Sequence, residues 1–338
     1  MLQTILQKSK SITNNKIEWK NLKPNEHGDW LNQRSDLFGS FIQLGDKQDT
    51  TTSIFNMYSG GLLTSRNAWC YNFSREKLEA NMKTSIAFYN EERDKFNSSN
   101  KKLAVEDVLQ TDTTKISWSR ALKNNIKRNL DIEYDDTSVR EAIFRPFEKI
   151  YAYFDRNMNE MVYQLPKIFP TNKLENVVIN VAGGGGVKPF SAFICEAIKD
   201  YDTDGGVQCF PLYYYEKLDG NVGTLFDTGS VQYAKHDGIT NFILDQCHKA
   251  YGNKVTKEDI FYYVYGILHS PDYRTQFAAD LKKMLPRIPL VEKPADFWAF
   301  SKAGRELADL HLNYEDVDPC PDVKVTGIES GNFRVEKM

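Results

Sequence analysis

The residues best placed for chemistry lie between Lys115 and Arg128, in KISWSRALKNNIKR, which holds five basic side chains and no acid. Arg120, Lys123 and Lys127 recur at intervals of three and four, so a helix there carries them on one face. Trp118, Leu122 and Ile126 fall on a different stripe, suited to packing. Such a helix, with Lys115 and Arg128 at its ends, lays cations along a phosphate backbone. A solvated helical face has the same pattern, and sequence alone leaves both readings open. A second cluster, FRPFEKIYAYFDRNMN, sets Arg145, Lys149 and Arg156 among Phe and Tyr. Basic residues between aromatics suit nucleic acid, and they equally suit a strand with one wet edge.

Other catalytic patterns are weaker. No G-x-x-x-x-G-K-[ST] string is present. Gly183–Gly186, followed by Val187 and Lys188, comes after the strand-like NVVINVA. Its amides suit an anion, but loop length and a Ser or Thr after the Lys are missing, and a turn is the simpler reading. As an S-adenosylmethionine loop it lacks the acid expected in the preceding strand, which carries Asn176 and Asn180 instead. None of the 12 prolines has the N-P-P-Y or D-P-P-Y context that holds a flipped adenine.

A metal-dependent nuclease needs two carboxylates and a Lys. Asp272, Asp280 and Lys282, or Asp322 with Lys324, imitate one, but 46 acids and 43 bases make such sets common by chance. The histidines, at 27, 236, 248, 269 and 311, show no metal-ligand spacing, and the five cysteines include no C-x-x-C. Free thiols in a reducing cytosol are the simplest expectation.

The elements that must position these groups are partly legible. The 338 residues, 41% of them hydrophobic, are enough for two domains or one large one. AWCYNF at 68–73 reads as a buried strand. Ser74 caps a helix REKLEANMKTSIAFYNEERDKF, with Leu78, Met82, Ile86 and Tyr89 on one face. SSNKK at 98–102 and the stretch Pro170 to Lys173 are boundary candidates. GGVQCFPLYYY at 205–215 reads as a strand, and 219–238 as a long loop. Thr240 caps a helix ending at Gly252, and Thr256 with Asp259 forms a near capping box before a very apolar helix. DYRTQFAADLKKML and PADFWAFSKAGRELADLHL are two further helices, and VKVTGIESGNFRVEKM is a terminal hairpin. The expected class is α+β: mixed strands in the first and middle parts, a helical C-terminal part, and two subdomains. A net charge of −3 does not announce nucleic-acid binding. No signal core or run of ~20 apolar residues occurs, so a soluble, cytoplasmic protein without a membrane partner is expected.

Several strings resemble the C-terminal part of the Type ISP restriction–modification enzymes. They are GDWLNQR (28–34), IQLGDK (42–47), YSGGLLTSRNAWCYNF (58–73), FRPFEKIYAYFDRNMNE (144–160) and QCFPLYYY (208–215). EDIFYYVYGILHSPDYRTQFAADLKKMLPRIPL (258–290) and FSKAGRELADLHLNYE (300–315) extend the resemblance to nearly the whole chain. Those enzymes join a nuclease, a translocase, an adenine methyltransferase and a target-recognition domain.

The resemblance implies that this chain begins after the methylase motifs. Residues 1–110 would be the methyltransferase tail or a connecting region, and 111–338 a DNA target-recognition domain. Its partners would be double-stranded DNA and the upstream methyltransferase and translocase domains of the same polypeptide. It would position a target adenine for N6 methylation. No complete catalytic motif and no cofactor are expected in this chain, because S-adenosylmethionine, ATP and Mg belong to the parent enzyme. Lys115, Arg120, Lys123, Lys127 and Arg128 are the expected phosphate-gripping residues, with Arg145 and Lys149 next. Two alternatives remain at this point: a methyltransferase using Gly183–Gly186, or a protein-interaction domain using Tyr213–Tyr215 and the helices of 258–290.

Overall fold

The computed structural model describes residues 21–31, 33–99, 103–185, 189–203, 205–218, 232–318 and 320–322. The chain enters through α1 (Asp36–Gly39), β1 (Ile42–Gln43) and β2 (Ser59–Gly60). Then come α2 (Asn67–Cys70), β3 (Tyr71–Asn72), α3 (Arg75–Ser98), α4 (Val105–Val108) and α5 (Arg120–Lys127). The middle holds β4 (Val139–Arg145), β5 (Glu148–Tyr153), α6 (Leu165–Ile168), β6 (Val178–Val181) and β7 (Ala192–Cys195). After them come β8 (Ile198–Lys199), β9 (Gln208–Pro211), β10 (Tyr213–Lys217) and β11 (Tyr233–Asp237). The end is helical: α7 (Asn241–Tyr251), α8 (Lys257–His269), α9 (Pro271–Gln276), α10 (Ala278–Lys283), β12 (Arg287–Ile288) and α11 (Pro294–Leu312).

The described strands form two four-stranded sheets and two ribbons. One sheet runs β3-β5-β4-β8, antiparallel except for the β4–β8 pair. The other runs β2-β9-β6-β7 and is antiparallel throughout. β1 pairs with β12, and β10 with β11. The class is α+β with a helical C-terminal part, as expected.

Among the described residues, three larger cores hold these layers. Leu78, Met82, Ile86 and Tyr89 of α3 pack with Leu122 and Ile126 of α5, the stripe that their spacing foretold. Between the sheets, Ala142, Ile150 and Ala152 meet Val178 and Cys209 through Leu165, Ile168 and Phe169. The largest core joins the β2-β9-β6-β7 sheet to α7, α8 and α11. Every residue from Ile260 to Leu268 is buried, so α8 has no wet face. It approaches α11 closely enough that a Cβ on Gly304 would sit 2.0 Å from the Tyr262 carbonyl oxygen. Cys70 and Tyr89, before residue 110, share one core with Ile116 and Met158, after it.

Caps follow the sequence closely. Ser74 accepts from the Lys77 amide, Thr240 from Ile243, and Thr256 exchanges hydrogen bonds with Asp259 in a full capping box. Four readings need correction. AWCYNF is a helical turn before it is a strand: the Trp69 and Cys70 amides both donate to the Arg66 carbonyl, and pairing starts only at Tyr71. GGVQCFPLYYY is two strands, because the chain leaves the sheet at Leu212, whose amide donates to Val177 and whose carbonyl accepts from Gly238. The stretch 219–238 contains β11; residues 219–231 lie outside the described residues. The helix read in DYRTQFAADLKKML breaks at Phe277 (φ −107°, ψ 22°). That ring lodges 5.3 Å from both Phe38 and Phe41, a tertiary packing demand that overrides helix propensity. The terminal hairpin falls at 323–338, outside the described residues, as do Asn100 to Lys102 of the SSNKK stretch.

Candidate nucleic-acid interface

Helix α5 is short and strongly fixed at its start. Ser119 caps it by accepting from the Leu122 amide, and Glu160 accepts from the Ala121 amide at 3.0 Å. Burial pushes the Glu160 carboxyl up, but the Ala121 amide, the Ser119 hydroxyl and the charges of Arg120 and Arg66 outweigh it. The group therefore stands below the usual carboxylate range. Behind the helix lies Arg66, 3% exposed. Its guanidinium donates to the carbonyls of Ser117 and Met158 and to the Ser119 hydroxyl. Burial holds this cation below its ordinary pKa, a cost that three hydrogen bonds offset.

With Leu122 and Ile126 turned inward, the cations of α5 face out. The Arg120 side chain is 81% exposed and stands 3.5 Å from Glu160. Lys123 leans on Glu106 at 3.3 Å. Lys127 and Arg128 are exposed and make no ion pair among the described residues. Lys115 precedes the helix, exposed, with its ammonium 5.2 Å from the Phe88 ring centre.

The other two expected cations sit elsewhere. Arg145 ends β4, stacks on Phe144 at 3.9 Å and reaches the buried Asp200 at 3.2 Å. Lys149 bonds Glu315 at 2.9 Å, beyond the end of α11, and that carboxylate holds its ammonium above the usual range. The structure thus gathers Lys115, Arg120, Lys123, Lys127 and Arg128 into one region and separates Arg145 and Lys149 from it.

A second feature had no advance signal beyond the adjacent Gly60 and Gly61. Glu160, at the start of α5, leads into Met161, which pairs with Leu63 through two backbone hydrogen bonds of 3.0 Å. Tyr163 follows in the left-handed region (φ 46°), and its ring stacks on Tyr201 with centroids 5.9 Å apart. Beyond Tyr201 lie Gly206 and then Gly183, whose Cβ position meets the Gly206 carbonyl oxygen at 2.4 Å. Glycines 183–185 join β6 to the antiparallel β7, and the Gly185 amide donates to Lys282; Gly186, Val187 and Lys188 lie outside the described residues. The next described element after these glycines is the antiparallel strand β7, not a helix.

Asp280 faces inward and accepts from the Ser35 amide at 2.9 Å, which removes it from any set with Lys282. Among the described residues no three His, Cys, Asp or Glu side chains are grouped to hold a metal ion. None of the described helices is long and apolar enough to cross a membrane.

The fold is that of an α+β domain. The model of the Type ISP C-terminal specificity domain matches residues 53–338, and the chain belongs to that family. It is 35% identical to a nuclease-deletion mutant of the Type ISP restriction–modification enzyme LlaGI, solved with a DNA substrate mimic (TM-score 0.75, 92% of this chain, 26% of that one). It is 34% identical to the ATP-dependent Type ISP enzyme LlaBIII bound to DNA (TM-score 0.78, 94% and 19%). It is 28% identical to the DrdV chain of a DrdV–DNA complex (TM-score 0.78, 94% and 30%). The chain therefore spans less than a third of the length of these solved chains. A comparison with curated proteins finds no match.

Proposed function

We propose that this chain is a sequence-reading module for duplex DNA that grips phosphates through the cations around α5. The observation that carries it is the exposed Arg120, Lys127 and Arg128 on the outer side of a helix whose inner side, Leu122 and Ile126, packs into the core, in a stretch without acids. That the similar LlaGI, LlaBIII and DrdV chains were solved with DNA supports it. The reading extends to the rest of the polypeptide. The module acts in the cytoplasm beside upstream methyltransferase and translocase domains and presents a target adenine to an N6-adenine methyltransferase. S-adenosylmethionine, ATP and Mg serve those other domains. Lys115, Arg120, Lys123, Lys127 and Arg128 grip the backbone; Arg145 and Lys149 are secondary contacts.

The alternatives have less support. A methyltransferase built on Gly183–Gly186 would lead from the glycines into a helix, whereas the next described element is β7. A protein-binding role for α8 conflicts with its burial, and Tyr215 is also buried, its hydroxyl donating to the Glu175 carbonyl.

The test is binding of this chain to random-sequence duplex DNA across a salt series, followed by selection from the pool. A steep loss of affinity with salt and an enriched sequence are expected. Absence of binding at low salt would refute the reading for this chain.

A further inference from the structure

We propose that Met161, Tyr163, Gln164 and Tyr201 form the base-reading edge of the module, inserted at the major-groove face of the DNA. This rests on the DNA reading above and adds which residues carry the sequence preference.

The placement of Tyr163 is costly in local terms. A bulky residue at φ 46° is a backbone outlier, and such outliers persist where the surroundings force them, often at functional sites. Gly60 leaves space for its ring: a Cβ there would stand 2.8 Å from the ring carbons. Gly61 lets the backbone of the Tyr201 segment approach: a Cβ there would stand 2.8 Å from the Tyr201 Cα and 2.9 Å from the Lys199 carbonyl oxygen. Yet neither ring belongs to any of the hydrophobic cores. Gly60 and a strained backbone thus fix the Tyr163 ring, Gly61 sets the backbone approach of Tyr201, and the two stacked rings lie outside the hydrophobic cores.

The segment is also clamped. The Met161–Leu63 backbone pair holds one end, and the Gln164 amide donates to the Ser59 hydroxyl at 3.0 Å at the other. A rigid first shell is what a reading site needs.

The outward chemistry fits base edges. Met161 is 39% exposed, an apolar surface for a thymine methyl. Gln164 is exposed, and its carboxamide is the type that pairs bidentately with adenine. Tyrosine hydroxyls donate and accept. Cations flank the edge on both sides. Glu160 links it to Arg120, and Arg145 reaches Asp200 beside Tyr201.

The experiment compares wild type, Gln164→Ala, Met161→Ala and Lys127→Ala by selection from random duplex DNA and by salt titration on the selected site. Gln164→Ala and Met161→Ala are expected to lose preference about ten-fold or more at one base-pair position each, while Lys127→Ala weakens all sequences alike. Matching thermal unfolding curves check that the variants fold. If wild type selects a site and both Gln164→Ala and Met161→Ala select the same one with equal discrimination, this assignment is overturned and the DNA reading stands. If wild type shows no salt-dependent binding, both fall.

Discussion

Arg66 and Ser119, 53 residues apart in sequence, meet through a guanidinium–hydroxyl hydrogen bond behind the start of α5. The same guanidinium holds the carbonyls of Ser117 and Met158, so one buried cation ties the α2 turn, the basic helix and the loop after β5 together. Arg66→Met leaves two carbonyls and a helix cap without their donor. We expect a loss of about 3 kcal/mol in urea unfolding, with weaker DNA binding because α5 loses its anchor. Unchanged stability would show that water replaces the guanidinium.

The α5 cations differ in freedom, and their variants should differ with them. Lys127→Ala and Arg128→Ala are each expected to lower the slope of log affinity against log salt by about one unit. Lys149→Ala should change it less, since its ammonium is already 2.9 Å from Glu315. Equal slopes for all three would mean that the Lys149–Glu315 pair opens on DNA.

Sequence made α5 legible because its signals are local: a Ser at the cap, cations three and four apart, and Leu122 with Ile126 on the buried stripe. The same holds for the capping box at Thr256. What stayed hidden depends on distant pairing. Glu160 and Glu106, each remote in sequence, temper Arg120 and Lys123. Arg145 and Lys149 sit four residues apart, yet one faces Asp200 and the other Glu315. The left-handed Tyr163 has no sequence signature at all, because such a conformation is imposed by its neighbours. The break at Phe277 is hidden for the same reason, its ring being claimed by Phe38 and Phe41.

Gly304 and Gly266 let α8 and α11 touch backbone to backbone. A Cβ on Gly304 would meet the Tyr262 carbonyl oxygen at 2.0 Å, and one on Gly266 the Phe300 oxygen at 2.4 Å. Neither obstacle is a flexible side chain. Gly304→Ala is expected to destabilise by about 3 kcal/mol through overpacking, despite the better helix propensity of Ala. A rise in the urea midpoint would mean that the helices separate freely.

His269 makes the helical end sensitive to acid. Its ring is 5.6 Å from His311, its Nδ1 lies 3.3 Å from Arg274 Nη2, and its Nε2 is buried without a partner. Burial first, then the Arg274 and His311 charges, hold its pKa down at about 3. The folded pKa is thus below the unfolded value of about 6.5. The unfolded chain takes up a proton first as pH falls, so this stability is fully present above about pH 6.5 and is lost towards pH 3, by at most about 1.4 kcal/mol per pH unit. His311 shifts in the same direction, while the half-buried Asp155 and the buried Asp200 are raised and oppose it; all three are common to wild type and a His269→Gln variant. Urea unfolding at pH 7 and pH 4.5 should therefore show a smaller acid loss for His269→Gln than for wild type. Equal losses would mean that the folded state protonates this ring, through an opening that lets water reach Nε2.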